Sequence, residues 1–329
     1  MTTHSQKKFM AYTVSLILII IISCLSITYH VDGIQVWNIF SLEDPLLNYT
    51  IWEIRVPRLA LSLILGASMS IAGCLLQAMT RNSLADPELI GINQGASCFA
   101  VIAIMLFQKG ESSTVIMLGA FLGATVAAII LFMINQFSGK NPSKFLLAGV
   151  AIGSFMGAMT TCIILLNETQ LSEILYWMAG KLSGANWLDN RIAWIVNGIT
   201  MIIAYLISNT VNILVQGDEI AKGLGVKVGL YQFLIGLIII TISACVVAVA
   251  GPIGFIGLIV PHITKRIVGN DHRIILPLAA LIGATLLATS DFLGQWIFYP
   301  IEIPVGIITA FLGVPFFLYL LRRNGGKFK

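Results

Sequence analysis

Two arginines three residues apart, Arg55 and Arg58, stand at the start of a long apolar run. At this spacing both side chains share one face of a helix, and the first turn of a helix tolerates the intervening Pro57. Two basic side chains beside an apolar run indicate either recognition of a partner's carboxylates or snorkelling to lipid phosphates. The first interpretation predicts a docking site at Arg55 and Arg58.

The polar segment 215–229 also has residue types suited to contact with a partner. Asp218 is a plausible N-cap with Glu219 in the first turn, so we expect one short helix that ends at a following glycine. Leu224 would then present an apolar group to a groove on a cytoplasmic protein; an amphipathic turn resting on lipid is the alternative. The residues predicted to make this contact are Asp218, Glu219, Ala221, Gly223, Leu224 and Gly225.

Glycines recur at four-residue spacing at Gly149, Gly153 and Gly157. Small residues on one helical face let helix backbones approach closely in lipid. The same face could instead line a passage between helices. The spacing alone does not separate these two interpretations.

No pattern in the sequence predicts catalysis or metal binding. His262, Asp271 and His272 lie close together in the chain, but no serine or cysteine with a recognisable nucleophile elbow accompanies them. There is no P-loop, no HExxH sequence and no ligand-like spacing of histidines or cysteines. We therefore expect no catalytic residue, no metal and no cofactor bound by this chain. The absence of a basic face with interleaved aromatics excludes a nucleic-acid-binding class.

The elements that position these residues are apolar spans. Charged residues make up 10% of the chain and the mean hydropathy is +0.93, which is typical of a polytopic membrane protein. We predict an all-α fold and a single integral domain, 1–329, without a separate soluble domain. The ten predicted spans are 9–30, 54–79, 90–107, 114–136, 145–166, 191–214, 230–250, 252–267, 274–293 and 303–321, with a partial helix within 167–190.

The distribution of lysine and arginine predicts the orientation, because cytoplasmic loops retain these residues. If both termini are cytoplasmic and ten spans alternate, five of the 19 basic residues lie outside: Arg55, Arg58, Lys109, Lys181 and Arg191. The N-terminal run is too long for a typical signal peptide and is expected to be a retained first span. The predicted location is the cell membrane.

Several long motifs in order resemble the FecCD family of permeases, the type II importers for iron–siderophore complexes, haem and cobalamin. The match covers residues 50–321. The motifs are RVPRLALSLILGASMSIAGCLLQAMTRNSLADPELIGINQGA, the W-x-x-G segment at Trp177 and Gly180, GPIGFIGLIVPH, GNDHRIILPLAALIGATLLATSD and EIPVGIITAFLGVPFFLYLL. Ser83 replaces the family's usual proline.

The resemblance implies a set of partners. These are a second permease subunit (the same chain or a paralogue), two cytoplasmic ATPases and an extracytoplasmic substrate-binding protein that docks on Arg55 and Arg58. A third docking arginine is expected four residues after Asp291, where this chain has Gln295. The family's coupling segment matches 217–229. Its passage matches Gly149, Gly153, Gly157, Trp177 and Gly180.

The resemblance also implies a function. The chain is expected to be a passive permease subunit and not an enzyme, with ATP hydrolysed by a partner. A ferric siderophore is the favoured cargo, with haem and cobalamin as alternatives. An ion-coupled secondary carrier is the competing class, but no span carries an acidic residue at its centre, as such a carrier usually would.

Overall fold

The computed structural model describes residues 4–29, 44–88, 91–107, 113–137, 142–166 and 171–324, and the regular structure in them is helical. An all-α fold is thereby confirmed, and a helix lies over each of the ten predicted spans. The helices are α1 His4–Thr28, α2 Pro45–Tyr49, α3 Val56–Thr80, α4 Ile92–Phe107, α5 Ser113–Phe137, α6 Pro142–Leu165, α7 Leu171–Met178, α8 Trp187–Leu206, α9 Ser208–Leu214, α10 Asp218–Gly223, α11 Val228–Ala250, α12 Ile256–Val268, α13 His272–Trp296 and α14 Val305–Asn324.

Five helical stretches in the described part of the chain are long and apolar enough to cross a bilayer by themselves. They are Lys8–Thr28, Pro45–Thr80, Leu147–Leu165, Val228–Ala250 and His272–Trp296. The predicted span 191–214 is not one straight helix: α8 and α9 meet at a bend of 57°. The ten-span count and the side on which each terminus lies stay predictions.

Helix α3 is the central element of the bundle. The helical stretch Pro45–Thr80 contains α3, and 89% of its most apolar 18 residues are buried in the bundle. Helix α3 packs against α8, α11, α12 and α13. Glycines allow the closest approaches, since a Cβ on Gly66 would lie 2.3 Å from the Gly283 carbonyl oxygen and one on Gly73 would lie 2.1 Å from that of Gly257. Backbone–backbone packing of this kind is typical of helices in lipid.

The second predicted span begins earlier than the sequence indicated. Asp44 accepts a hydrogen bond from the Leu46 backbone N–H and caps α2, and a π-helical turn, Thr50–Arg55, continues α2 into α3. Pro57 has no N–H to donate to the preceding turn, and the wider π turn ends just before it. The two arginines therefore lie inside a 36-residue helical stretch and not at its first turn.

The short eighth span follows an irregular segment. Residues 251–254 are non-helical and Phe255 has a left-handed backbone (φ +67°) before α12 begins. Pro261 lies within α12, which ends at Val268, one residue beyond the predicted span 252–267. Since α12 has only 13 residues, or about 20 Å at 1.5 Å per residue, it is too short to cross the hydrocarbon core alone.

Candidate functional site

A buried ion cluster surrounds Arg58 at the end of the bundle that the sequence predicts to face outward (the outer end). Its Nε lies 2.9 Å from Oδ2 of Asp291 and its Nη2 lies 2.9 Å from Oδ1, a bidentate pairing between α3 and α13. Its Nη1 donates to Glu302 at 2.8 Å. The guanidinium thus has two carboxylate partners within the chain, and only 11% of the side chain is exposed.

Arg55 has a different environment one helical turn away. Its Nη1 donates to the carbonyl oxygens of Ser26 and Ile27, at 3.3 and 3.0 Å, and to that of Tyr29. These carbonyls belong to the last turn of α1 and the residue after it, where a cation is favoured by the helix dipole. Arg55 therefore holds the end of α1 while remaining partly exposed.

Gln295 takes part in the same outer cluster. Its Nε2 donates to Oδ2 of Asp291 at 2.9 Å. Asp291 and Glu302 both pair with Arg58, so the outer end carries less positive charge than the spacing of Arg55 and Arg58 indicated.

The opposite end of the bundle, which the sequence predicts to face the cytoplasm (the inner end), presents the short helix expected from segment 215–229. Helix α10 spans Asp218–Gly223, and Gly217, with φ +127°, occupies the N-cap position that the sequence gave to Asp218. Ala221 is fully buried and anchors the helix, whereas 63% of Leu224 is exposed. Gly225 follows with φ +79°, a backbone that favours glycine.

Arg81 joins α10 to the central helix. It ends α3 in the left-handed conformation (φ +50°), and its Nη2 donates to the Leu214 carbonyl oxygen at 2.9 Å and also to the Asp218 carboxylate. One side chain therefore connects the inner end of α3 with the end of α9 and the start of α10.

The His–Asp segment of the sequence forms a local hydrogen-bond network. Asp271 accepts from Asn212 at 2.7 Å and forms an ion pair with Arg273. Hydrogen bonds from Arg273 and Asn212 lower the pKa of Asp271 to about 2. The Nδ1 of His272 lies 2.8 Å from Oδ1 of Asn212, so this network shapes the loop before α13.

The glycine face of α6 divides into two parts. Gly149 and Gly153 pack on the backbone of Gly91, whose added Cβ would lie 2.9 Å from the Gly149 carbonyl oxygen and 2.8 Å from the Gly153 nitrogen. Gly157 has open space where a Cβ would point. Close packing thus accounts for the first two glycines, and only the third faces free space.

Trp177 and Gly180 lie at a junction of three chain segments. Gly180, with φ +75°, accepts a hydrogen bond from Gly306 at 3.2 Å. A Cβ on Gly251 would lie 2.2 Å from the Trp177 carbonyl oxygen. The end of α7 is therefore joined by backbone contacts to the start of α14 and to the segment before α12.

The sequence did not single out Glu88, which lies in the connection between α3 and α4. Its backbone N–H donates to Oδ1 of Asp86 at 2.8 Å. A Cβ added to Gly254 would overlap its carboxylate, at 1.4 Å from Oε2. The only signal in the sequence is an acidic residue directly after the Asp-Pro turn.

The chain is similar to proteins of a known transport family. The model of the FecCD transport family matches residues 15–323. The chain is 40% identical to the Fe(3+)-citrate import system permease protein YfmD of Bacillus subtilis, over 98% of this chain and 97% of that protein. It is 37% identical to the hemin transport system permease protein HmuU of Yersinia pestis, over 88% and 87% of the two chains.

A solved structure agrees in fold over almost the whole length. A metal-chelate type ABC transporter in an inward-facing conformation superposes with a TM-score of 0.82 at 27% identity, covering 94% of this chain and 98% of that one. The helical bundle and the apolar spans are those of a multi-pass protein of the cell membrane. The chain therefore belongs to the FecCD transport family, as a permease of an ABC importer and not itself an enzyme.

Proposed function

We propose that this chain forms the translocation pathway for an iron–siderophore complex and acts as a passive gate moved by partner proteins. The observation that carries the proposal is the 40% identity, over nearly the full length, to a permease named for ferric citrate. Relatives named for siderophores and for ferric hydroxamates at 34% and 37% identity support the same cargo class.

The proposed assembly has two permease subunits, two cytoplasmic ATPases and an extracytoplasmic binding protein. The loaded binding protein docks at the outer end around Arg55 and Arg58. Arg55 and Glu302 are both partly exposed, which supports a surface of mixed charge there. Carboxylates of the binding protein would be attracted to the arginines and would lie away from Glu302.

The ATPase contact is proposed at α10. An exposed Leu224 beside a buried Ala221 is suited to insertion into a groove on a partner. Arg81 then links any displacement of Asp218 to α3, the helix whose other end carries Arg58. The passage would run beside Gly157 and the stretch that ends at Gly180.

Uptake of labelled iron tests the cargo. Cells that lack the gene would be given radioactive iron as a ferric hydroxamate, as ferric citrate and as haem, with and without the restored chain. We expect restored uptake of at least one ferric chelate that depends on ATP. Uptake of haem alone would replace the siderophore assignment, and that second candidate is favoured by the 37% identity to a hemin permease.

Cobalamin is tested in the same strain by growth on cobalamin as the limiting nutrient, because a cobalamin permease of Halobacterium salinarum is 39% identical over 82% of this chain. Uptake of any cargo by the chain alone, reconstituted without ATPase or nucleotide, would contradict the passive-gate mechanism.

A further inference from the structure

A groove of about 620 Å³ opens beside the junction of α7, α14 and the segment before α12. Among the described residues that line it, Glu88 is the only charged one, and none is basic. Apolar side chains dominate the rest of the lining, chiefly Met178, Pro252, Phe255, Ile307, Phe311 and Val314.

The Glu88 carboxylate is fixed in this groove by its surroundings. The carboxylate lies against the bare Cα of Gly254, which gives it room that any larger residue would remove. Residues 82–88 are held by backbone N–H groups that donate to the side chains of Asn82 and Asp86. The position of Glu88 is therefore set before any ligand arrives.

A carboxylate in an apolar groove favours a positively charged ligand. Withdrawing an acid from water costs free energy unless a charged or hydrogen-bonding partner compensates. The rings of Phe255 and Phe311 line the same groove, and aromatic faces attract organic cations. The volume lies within the range of sites for small molecules, roughly 300–1,000 Å³.

The chemistry of the lining favours an organic cation over a bare metal ion. In the described part of the chain, no group of three or more His, Cys, Asp or Glu side chains could hold a metal. A metal ion needs several oxygen or nitrogen ligands, whereas an alkylammonium needs one carboxylate and an apolar wall. The groove supplies one carboxylate and an apolar wall.

We propose that the Glu88 groove recognises an alkylammonium group carried by the imported cargo, which makes Glu88 a specificity-determining residue. The inference rests on the proposed function, because the groove adjoins Met178 and Ala179 at the end of the stretch proposed for the passage. A ferric trihydroxamate with a free terminal amine would be favoured over its N-acetylated, neutral form.

Protection from a carbodiimide tests the site in the unaltered chain. Dicyclohexylcarbodiimide modifies carboxyl groups in apolar surroundings, and mass spectrometry of the Glu88 peptide would quantify the modification in lipid nanodiscs. The amine-bearing ferric trihydroxamate should protect Glu88 at about one tenth of the concentration that the acetylated form requires, as a charge-assisted contact is worth about this factor. Equal protection by both forms, or none by either, overturns the proposal.

Uptake by variants supplies the second readout. Wild type and Glu53→Gln, a matched change at an exposed acid, should prefer the amine-bearing chelate, whereas Glu88→Gln should import both forms equally. A preference that survives in Glu88→Gln overturns the proposal. Charge-dependent protection without uptake of any ferric chelate would refute the proposed cargo and leave the cation site standing, so the two failures are distinguishable.

Discussion

Arg58 and Asp291 form a bidentate ion pair that joins α3 to α13 beneath the outer surface, with both donor–acceptor distances at 2.9 Å. The Arg58 guanidinium also donates a hydrogen bond to Glu302, in the chain before α14. One guanidinium thus holds three segments together at the end of the molecule where docking is proposed. Loss of Arg58 should therefore affect the stability of the fold, which loss of an exposed docking arginine would not.

Replacing Arg58 with Met should destabilise the chain by about 3–5 kcal/mol, because Asp291 would remain buried without its partner. The double change Arg58→Met with Asp291→Leu should recover much of that loss. Thermal unfolding in detergent measures both, with Arg191→Met, an exposed arginine, as the control. Equal melting temperatures for the single and double variants would contradict this account.

Glu302→Gln should strengthen docking of the binding protein. The Glu302 side chain is 41% exposed, and removing its charge leaves Arg58 with one carboxylate partner instead of two. The gain should be about 0.2–1 kcal/mol at low salt and should shrink at high salt because exposed charges are screened. Binding titrations at two salt concentrations measure it, and Glu219→Gln at the opposite end is the control. Weaker docking would place the partner's positive charge, not its acids, at this surface.

Leu224→Glu should uncouple ATP hydrolysis from import. Loss of one buried apolar contact costs about 1.5–3 kcal/mol, or roughly tenfold to more than a hundredfold in affinity for the ATPase. Cargo transported per ATP hydrolysed, and co-purification of the ATPase, measure the effect. Lys222→Gln changes an exposed residue of α10, the helix that ends just before Leu224, and should leave both values near wild type. Normal coupling in Leu224→Glu would reject α10 as the contact.

The Arg81–Asp218 pair should matter more for coupling than for stability. Both side chains are partly exposed, at 42% and 24%, and such pairs contribute about 0–1 kcal/mol to folding. Arg81→Ala and Asp218→Ala should each reduce transport per ATP, and the double variant should be no worse than either single one. Additive losses of transport in the double variant would show that the two residues act separately.

Gly73→Ala should destabilise the bundle, because the new Cβ would lie 2.1 Å from the Gly257 carbonyl oxygen and would force α3 and α12 apart. Gly157→Ala is the matched control, since that Cβ would meet open space. Melting temperatures of the two variants measure the difference. If Gly157→Ala lowered the melting temperature as much as Gly73→Ala, the packing described around Gly73 would be incorrect.

The sequence located most elements correctly and missed the bend in one of them. Uninterrupted apolar runs predicted helices over all ten segments, because a charge-free run of that length has few other stable environments. The short helix α10 and the partial helix α7 were also placed. The bend between α8 and α9 was missed, since no proline or glycine occurs at Ile207 to signal it.

The sequence by itself determined that this chain is an α-helical membrane permease, because hydropathy and ordered motifs are local properties of the chain. The tertiary structure alone decided which charges meet: Arg58 with Asp291, 233 residues away, and Arg81 with Asp218, 137 residues away. It also placed Glu88 against Gly254 in an apolar groove. Pairings over such separations depend on how helices pack, and packing geometry is not encoded in any single segment.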